Sequence, residues 1–161
     1  MKFKFLIFVF IFLISLFLIN ITNQSKNNSV LIFYYNPNKD KDENGNIKCS
    51  KDGLIPIQRK IISNENLIKN TIDLLLKGKE NLNQKEVESG LTTEFPLKGF
   101  KLKSFNLKPD GTLILEFDDP FNQSSGGSCR SFILKSQIEE TLKQFSQIKN
   151  IEILPEHLFQ P

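Results

Sequence analysis

The sequence is poor in the residues that most enzymes use for chemistry. It has one histidine, two cysteines, one methionine, and neither tryptophan nor alanine. The one histidine, His157, lies in the C-terminal tail, away from any nucleophile and acid spaced as a hydrolytic triad requires. Zinc sites need more Cys and His ligands than the chain contains. Neither a triad hydrolase nor a zinc protein is therefore expected, and no cofactor or metal is predicted.

Strong charge of one sign is also missing. Without Lys2 and Lys4, the 21 basic residues fall to 19, against 18 acidic residues. The lysines are scattered between acids and asparagines and form no basic stripe. Proteins that hold nucleic acid neutralise phosphates with clustered cations. The near-neutral balance therefore argues against a nucleic-acid partner.

The one long apolar run lies at the N-terminus. Residues 5–19 are apolar except for Ser15, Ile21 extends the run, and Lys2 and Lys4 precede it. No A-x-A-like cleavage site follows, which favours an uncleaved membrane anchor over residues 1–21, with a cleaved signal peptide as the competing reading. The preceding lysines predict a cytoplasmic N-terminus and an extracytoplasmic C-terminal domain in the cell membrane. If the segment is cleaved, the protein is secreted.

The rest of the chain divides into a polar linker, residues 22–29, and one domain, residues 30–161. Periodicity and turn residues predict a β-β-α-β-β-α-β order. The fold class is α+β, with a mixed or antiparallel sheet, two helices packed on one of its faces, and an N-terminal transmembrane helix in front. The strands are expected over 30–35, 54–62, 101–107, 112–117 and 151–154, and the helices over 65–77 and from Ser128 to Phe145, with a further helical turn near 84–87.

Several residues mark the expected ends of these elements. Ser63 and Ser128 are the predicted N-caps of the two helices, and Gly78 is the left-handed stop of the first. Pro109-Asp110-Gly111 predicts a tight turn between two strands. Leu134, Ile138, Leu142 and Phe145 share one face of the second helix, which should therefore pack on the core.

Acidic residues occur in two places that invite a functional interpretation. Asp40, Asp42, Glu43 and Asn44 resemble a calcium loop only faintly, because the glycine and glutamate spacing of an EF-hand is missing, so a solvated loop is the expectation. Glu116, Asp118 and Asp119 cluster at a strand end and could be half of a glycosidase pair, but no motif places a second carboxylate. A wall hydrolase is thus the least favoured function.

The segment before the second helix carries the remaining candidates. Gly126-Gly127-Ser128 could cradle an anion, but it lacks the lysine of a P-loop, and helix capping explains it better. Cys49 and Cys129 are the only two cysteines. Because exported domains fold in an oxidising compartment, we predict a disulfide between them. The alternative is a reactive Cys129 thiol activated by the helix N-terminus and Arg130. Arg130 is expected to be free for a partner or for a nearby acid such as Asp118.

A set of short motifs, taken in order, resembles the GerMN domain family of sporulation and spore-germination proteins. They are an aromatic strand, Leu54-Ile-Pro-Ile-Gln-Arg59, a helix ending Leu-Leu-Leu-Lys-Gly78, Phe95-Pro96…Gly99, Asp110-Gly111 with Leu115-Glu116-Phe117, Gly127-Ser128-Cys129-Arg130, and Gln137-Ile138…Thr141-Leu142-Lys143-Gln144-Phe145. The resemblance covers most of the chain after Val30. It implies an extracytoplasmic module similar to the ring-building motifs of envelope machines, without an established active site.

Together these observations predict a non-enzymatic, membrane-anchored extracytoplasmic module of the bacterial cell envelope. It would bind another envelope protein or copies of itself, with ring-type assembly and a link to sporulation implied by the resemblance alone. Arg59 and Arg130 are the candidate interaction residues. The alternative is a module that binds cell-wall glycan or a small ligand through an aromatic-lined groove.

Overall fold

The computed structural model describes residues 27–62 and 66–160. The described elements begin with β1 and β2, continue through α1 and α2 to a hairpin, and end with a long helix and a last strand. They are β1 (Asn27–Tyr35), β2 (Leu54–Ile62), α1 (Leu67–Leu76), α2 (Gln84–Glu88), β3 (Lys101–Leu107), β4 (Thr112–Asp118), α3 (Ser128–Leu142) and β5 (Asn150–Leu154), with short 3-10 turns at Pro37–Lys39, Lys51–Gly53 and Gly78–Asn81. The predicted order and the predicted helical turn near 84–87 are confirmed.

The strands form two sheets, whereas the sequence predicted one. β1 pairs with β2 in antiparallel register, from Asn27 opposite Ile62 to Tyr35 opposite Leu54. The second sheet has the order β3-β4-β5, with β3 antiparallel and β5 parallel to β4. β1 also begins at Asn27, inside the segment predicted as linker, because its first residues pair with the end of β2.

Helix α3 is the physical reason for the separation into two sheets. The edge of β1 that does not face β2 is hydrogen-bonded by polar side chains of α3 and of Gln144, just after its end. Gln144 bonds both the N–H and the C=O of Leu31, Thr141 accepts from the N–H of Phe33, and Gln137 donates to the C=O of Phe33. Thr92 then pairs with Tyr35 through both backbone groups. From Leu31 to Tyr35, another strand therefore finds the backbone groups of this edge already engaged.

Helix α1 forms for the reasons that its sequence suggests. Ile68, Ile72 and Leu75 recur at helical spacing and are buried. Asn66 caps its N-terminus by accepting from the N–H of Lys69, while the predicted cap Ser63 lies outside the described residues. Gly78 ends the helix in the left-handed region, with φ of +52°, as predicted.

The core lies among α1, α3, β1 and β4. The predicted apolar face of α3 is confirmed, since Leu134, Ile138 and Leu142 are buried. The helix ends at Leu142 rather than at the predicted Phe145, which is buried beyond its end. β4 adds three buried apolar side chains, and the C-terminal tail adds two more. These five are Leu113, Leu115, Phe117, Leu158 and Phe159.

The predicted turn before β4 and the predicted cap of α3 have different outcomes. The turn before β4 is confirmed, with Gly111 at φ of +91° and the Asp110 carboxylate accepting from the N–H of Thr112. The prediction that Ser128 caps α3 is wrong, because Gly127 occupies the N-cap position and makes no side-chain bond. Ser128 is the first residue inside the helix, so its hydroxyl does not occupy the N-cap position from which a side chain accepts from the N–H groups of the first turn.

None of the helices in residues 27–62 and 66–160 has the length and apolar character of a membrane span. The predicted anchor, residues 1–21, and most of the predicted linker lie outside the described residues.

Candidate interaction site

A mainly apolar pocket of about 290 Å³ opens beside the N-terminal half of α3. One wall is α3, and the facing wall is the segment after α2 that pairs with the end of β1. The lining residues are Tyr35, Thr92, Thr93, Glu94, Cys129, Arg130, Ile133, Leu134 and Gln137. The stretch around Cys129 that stood out in the sequence therefore forms part of a concave surface. Pockets with apolar walls and a few polar groups are the usual form of binding sites.

A disulfide holds the entrance of α3 in place. Cys49 and Cys129 are bonded, with their Cα atoms 5.2 Å apart and a separation of 80 positions along the chain. The predicted pairing is present, and within the described residues no cysteine is free, so the reactive-thiol reading is wrong for this structure. Further along, the Lys51 ammonium is 2.8 Å from Glu140 and 3.5 Å from Glu139. The loop before β2 is thus joined to α3 at two places, by the disulfide and by the ion pairs of Lys51.

Arg130 lies at the rim of the pocket, and its partner differs from the expected one. Its Nε donates to Glu94, and its Nη1 donates to the C=O of Ser125. The predicted acid, Asp118, is instead 3.5 Å from the Lys101 ammonium. The Glu94 side chain remains 51% exposed and that of Arg130 28% exposed. The rim therefore carries an ion pair whose acidic member is accessible to solvent.

The floor of the pocket is polar, and its side chains form hydrogen bonds within the protein. The Thr93 hydroxyl donates to the Gln137 side-chain oxygen at 3.1 Å, and Gln137 donates in turn to the C=O of Phe33 at 2.9 Å. Both side chains are buried. Because their hydrogen bonds are internal, the floor holds the shape of the pocket and leaves the apolar walls to contact an occupant.

The nearby aromatic wall is fixed by a buried carboxylate. The Tyr35 hydroxyl donates to Asp40 at 2.7 Å, and Ser50 donates to the same carboxylate through its N–H and its hydroxyl. Burial acts to raise the pKa of Asp40, but the hydrogen bonds from Ser50 and Tyr35 outweigh it and leave the pKa below its ordinary value. Burial and the bond to Asp40 raise the pKa of Tyr35. The phenol therefore stays neutral and the carboxylate charged.

Arg59, the other candidate interaction residue, is used inside the fold. Its guanidinium bonds both oxygens of Glu86 and the C=O of Asn81, and it lies 5.5 Å from the centre of the Tyr34 ring. The hydrogen bonds from Arg59 hold the pKa of Glu86 below its ordinary value. With both groups largely buried, Arg59 has little side chain left to offer a partner, and such a role stays a prediction.

The acids that suggested hydrolysis or cation binding are engaged in local structure. Glu116 bonds Lys103 and Ser104, and Asp119 accepts from the N–H groups of Gln123 and Ser124. Asp42 likewise accepts from the N–H groups of residues 44 and 46. Across 27–62 and 66–160, no group of three or more His, Cys, Asp or Glu side chains is arranged to hold a metal ion.

One exposed aromatic side chain is not among the candidate residues that the sequence suggested. Phe121, in the loop between β4 and α3, is 53% exposed. The Lys98 ammonium lies 4.8 Å from the centre of its ring. The only sequence signal is an aromatic residue directly after Pro120, in a loop where burial is not expected.

Comparisons with known proteins agree with the fold. The family described as "Germane: Sporulation and spore germination" matches residues 32–156. The tandem GerMN domains of the sporulation protein GerM from Bacillus subtilis superpose with a TM-score of 0.54 at 21% identity, over 83% of this chain and 41% of that one. This chain thus spans about two fifths of the tandem protein's length.

Two further solved structures are less similar. A putative lipoprotein from Clostridium perfringens has a TM-score of 0.38 at 20% identity, covering 80% of this chain and 76% of that one. The first GerMN domain of Bacillus subtilis GerM alone has a TM-score of 0.44 at 18% identity, covering 78% and 84%. No curated protein matches the chain. Because the family profile covers most of the chain and the tandem GerMN structure shares its fold, this protein belongs to the Germane family of sporulation and spore-germination proteins.

Proposed function

We propose that the chain is a non-enzymatic, membrane-anchored extracytoplasmic module that associates with copies of itself or with another protein of the cell envelope. The observation that carries the proposal is the apolar pocket beside α3, with the Arg130–Glu94 ion pair on its rim. An apolar centre with a charged, solvent-accessible rim is the usual composition of a protein interface. The fold stiffens this surface through the disulfide at Cys129.

Location outside the cytoplasm rests on two independent features. A disulfide persists in oxidising compartments and is rare in the cytosol. The apolar run of residues 5–19 behind Lys2 and Lys4 has the composition of an export signal or anchor. Family membership supports a role in the envelope during sporulation or germination.

The test is chemical crosslinking in intact cells that express the full chain at its native level, followed by mass spectrometry. The proposal expects a reproducible adduct, either with a second copy or with one envelope protein. Recovery of the uncrosslinked monomer alone, under conditions that crosslink a known envelope complex, would contradict it.

Binding to cell-wall glycan is a second candidate, favoured by the exposed ring of Phe121, since exposed aromatic rings can stack on sugars. Co-sedimentation of the purified chain with isolated peptidoglycan separates the two. A pellet that contains the wild type but not Phe121→Ala would favour the glycan, and a chain that stays in the supernatant removes this candidate.

A further inference from the structure

Phe121 is an exposed aromatic ring that the fold holds in position. Its ring packs directly on the backbone of Gly99, where an added Cβ would lie 2.9 Å from two ring carbons. The Lys98 ammonium is 4.8 Å from the ring centre on the same surface. A fixed ring loses little conformational freedom when it binds, which is a property of aromatic anchors at interfaces.

The pocket beside α3 has the complementary properties. Its volume of about 290 Å³ is enough for one aromatic side chain, and Ile133 and Leu134 supply apolar walls. On its rim, Glu94 keeps half of its side chain exposed. A ring entering the pocket with an ammonium group beside it would bring that cation toward the Glu94 carboxylate.

The ring and part of the pocket also lie on neighbouring segments of the chain. Phe121 lies in the loop that leads into α3, and Cys129 and Arg130 in the first turn of α3 line the pocket. Lys98 follows Glu94 closely in the chain. Because every copy carries both halves of the contact, two copies can exchange them reciprocally around a two-fold axis, and the assembly closes.

We infer that a second copy of this chain places its Phe121 ring in the pocket of the first, with its Lys98 facing Glu94. This inference rests on the self-association that the proposed function includes, and it names the contact. Among the large apolar side chains exposed in the described part of the chain, Phe121 is the one with a cation over its ring. An ammonium beside the entering ring would meet the Glu94 carboxylate, which stays half exposed although it is paired with Arg130. Charge and shape therefore favour the same occupant.

The first experiment places a photo-crosslinking phenylalanine analogue, p-benzoylphenylalanine, at position 121 of the full chain expressed in its membrane. Irradiation is expected to join two copies, with the adduct mapping to residues 92–94 or 129–137. The same analogue at position 132, an exposed phenylalanine on the outer face of α3, is the matched control and should give no such adduct. An adduct of residue 121 with another protein, with glycan, or with nothing overturns the inference.

The second experiment uses two variants, each of which should lose self-association alone but bind the other when the two are mixed. Phe121→Glu removes the ring but leaves the pocket, and Thr92→Trp fills the pocket from its exposed wall but leaves the ring. A homodimer of either variant loses both reciprocal contacts, so each alone should weaken self-association of the detergent-purified full chain about a thousandfold, the square of the roughly thirtyfold loss typical of one aromatic anchor. An equimolar mixture should recover heterodimers, because one of the two contacts is intact.

Phe132→Glu should leave the dissociation constant unchanged. Intact mass under non-reducing conditions and far-UV circular dichroism confirm that each variant keeps its disulfide and fold. If a variant fails this check, the crosslinking experiment still decides. Absence of heterodimers in the mixture of folded variants contradicts the inference.

Charge reversal tests the rim in the same way. Lys98→Glu or Glu94→Lys alone should weaken self-association about tenfold, and the double variant should recover most of it. If wild type and Phe121→Glu associate equally well, this contact is wrong while self-association stands. If the wild type does not associate and crosslinks to no envelope protein, the proposed function is wrong as well.

Discussion

Arg59 of β2 and Glu86 of α2 form a bidentate ion pair, with Nη1 2.8 Å from one carboxylate oxygen and Nη2 2.7 Å from the other. Their side chains are only 18% and 15% exposed. Glu86 also accepts from the N–H of Asn83 and completes the capping box of α2. The pair therefore connects the first sheet to a helix of five residues, too short to be stable alone.

Glu86→Gln is expected to lower the free energy of unfolding by about 2 kcal/mol, because it leaves the largely buried Arg59 charge without its counter-charge. Urea denaturation followed by circular dichroism measures the change. Glu88→Gln on the same helix is the control, since Glu88 is exposed and its bond to Gln84 can be kept by an amide oxygen. Equal losses in the two variants would contradict a special role for the pair.

The same pair predicts a pH dependence in the acid range. The hydrogen bonds from Arg59 lower the pKa of Glu86 from its ordinary value of 4.5. The unfolded chain therefore binds more protons than the folded one, so this contribution to stability is complete above pH 4.5 and disappears as the pH falls through the folded pKa. Unfolding free energies measured from pH 6 down to about pH 3 should decline less steeply for Glu86→Gln than for the wild type. Parallel curves would refute the prediction.

The bond between Cys49 and Cys129 closes a loop of 80 positions. In the chain-entropy description, a loop of this length stabilises the fold by about 4 kcal/mol. Cys49→Ser with Cys129→Ser should remove about that much, as measured by urea denaturation. A reducing agent should destabilise the wild type by the same amount and leave the double variant unchanged. Mass spectrometry of the exported protein should find two hydrogens fewer than in the reduced chain.

Thr141 accepts a hydrogen bond from the N–H of Phe33 at 3.1 Å and helps to close the edge of β1. Thr141→Val keeps the shape but leaves that N–H without its acceptor, which should lower stability by about 1–2 kcal/mol and increase hydrogen exchange at Phe33. Thr71→Val is the matched control. The hydroxyl of Thr71 is also buried, but it donates to the C=O of Leu67 within its own helix. Removing this hydroxyl leaves no backbone N–H without an acceptor, so a smaller loss of stability is expected.

Gly78 is expected to tolerate no side chain. A Cβ there would lie 2.0 Å from the carbonyl oxygen of Phe95, and φ is +52°. Gly78→Ala should therefore lower the free energy of unfolding by about 3 kcal/mol, combining backbone strain with a clash that the backbone must relieve. Gly127→Ala meets nothing within 4 Å and should change stability by less than about 1 kcal/mol. Thermal denaturation of both variants tests the contrast.

Local patterns in the sequence were enough to predict the order of the elements. The spacing of Leu134, Ile138 and Leu142 predicted the buried face of α3, and Gly78 and Gly111 predicted a helix end and a turn, because these effects act within a few residues. The two cysteines left one intramolecular pairing, which the structure contains. Composition also argued against a hydrolytic triad and a zinc site.

The division into two sheets depended on contacts that no local pattern encodes. Gln144 and Thr141 pair with β1 across more than a hundred residues, and a polar stripe on a helix ordinarily indicates a solvated face. For the same reason the sequence missed the acid beside Arg130: Glu94 is 36 residues away, while Asp118 seemed nearer only along the chain. Arg59 looked available for a partner until the fold brought Glu86 to it.

The sequence by itself determined the periodic elements, their turns and the disulfide pairing. The elements and turns depend on neighbouring residues, and two cysteines allow only one intramolecular bond. Only the tertiary structure decided what each polar side chain bonds, where α3 meets the segment of Thr92–Glu94, and hence that a pocket exists there. A concave surface is made by elements distant in the chain, and its shape follows from how they pack.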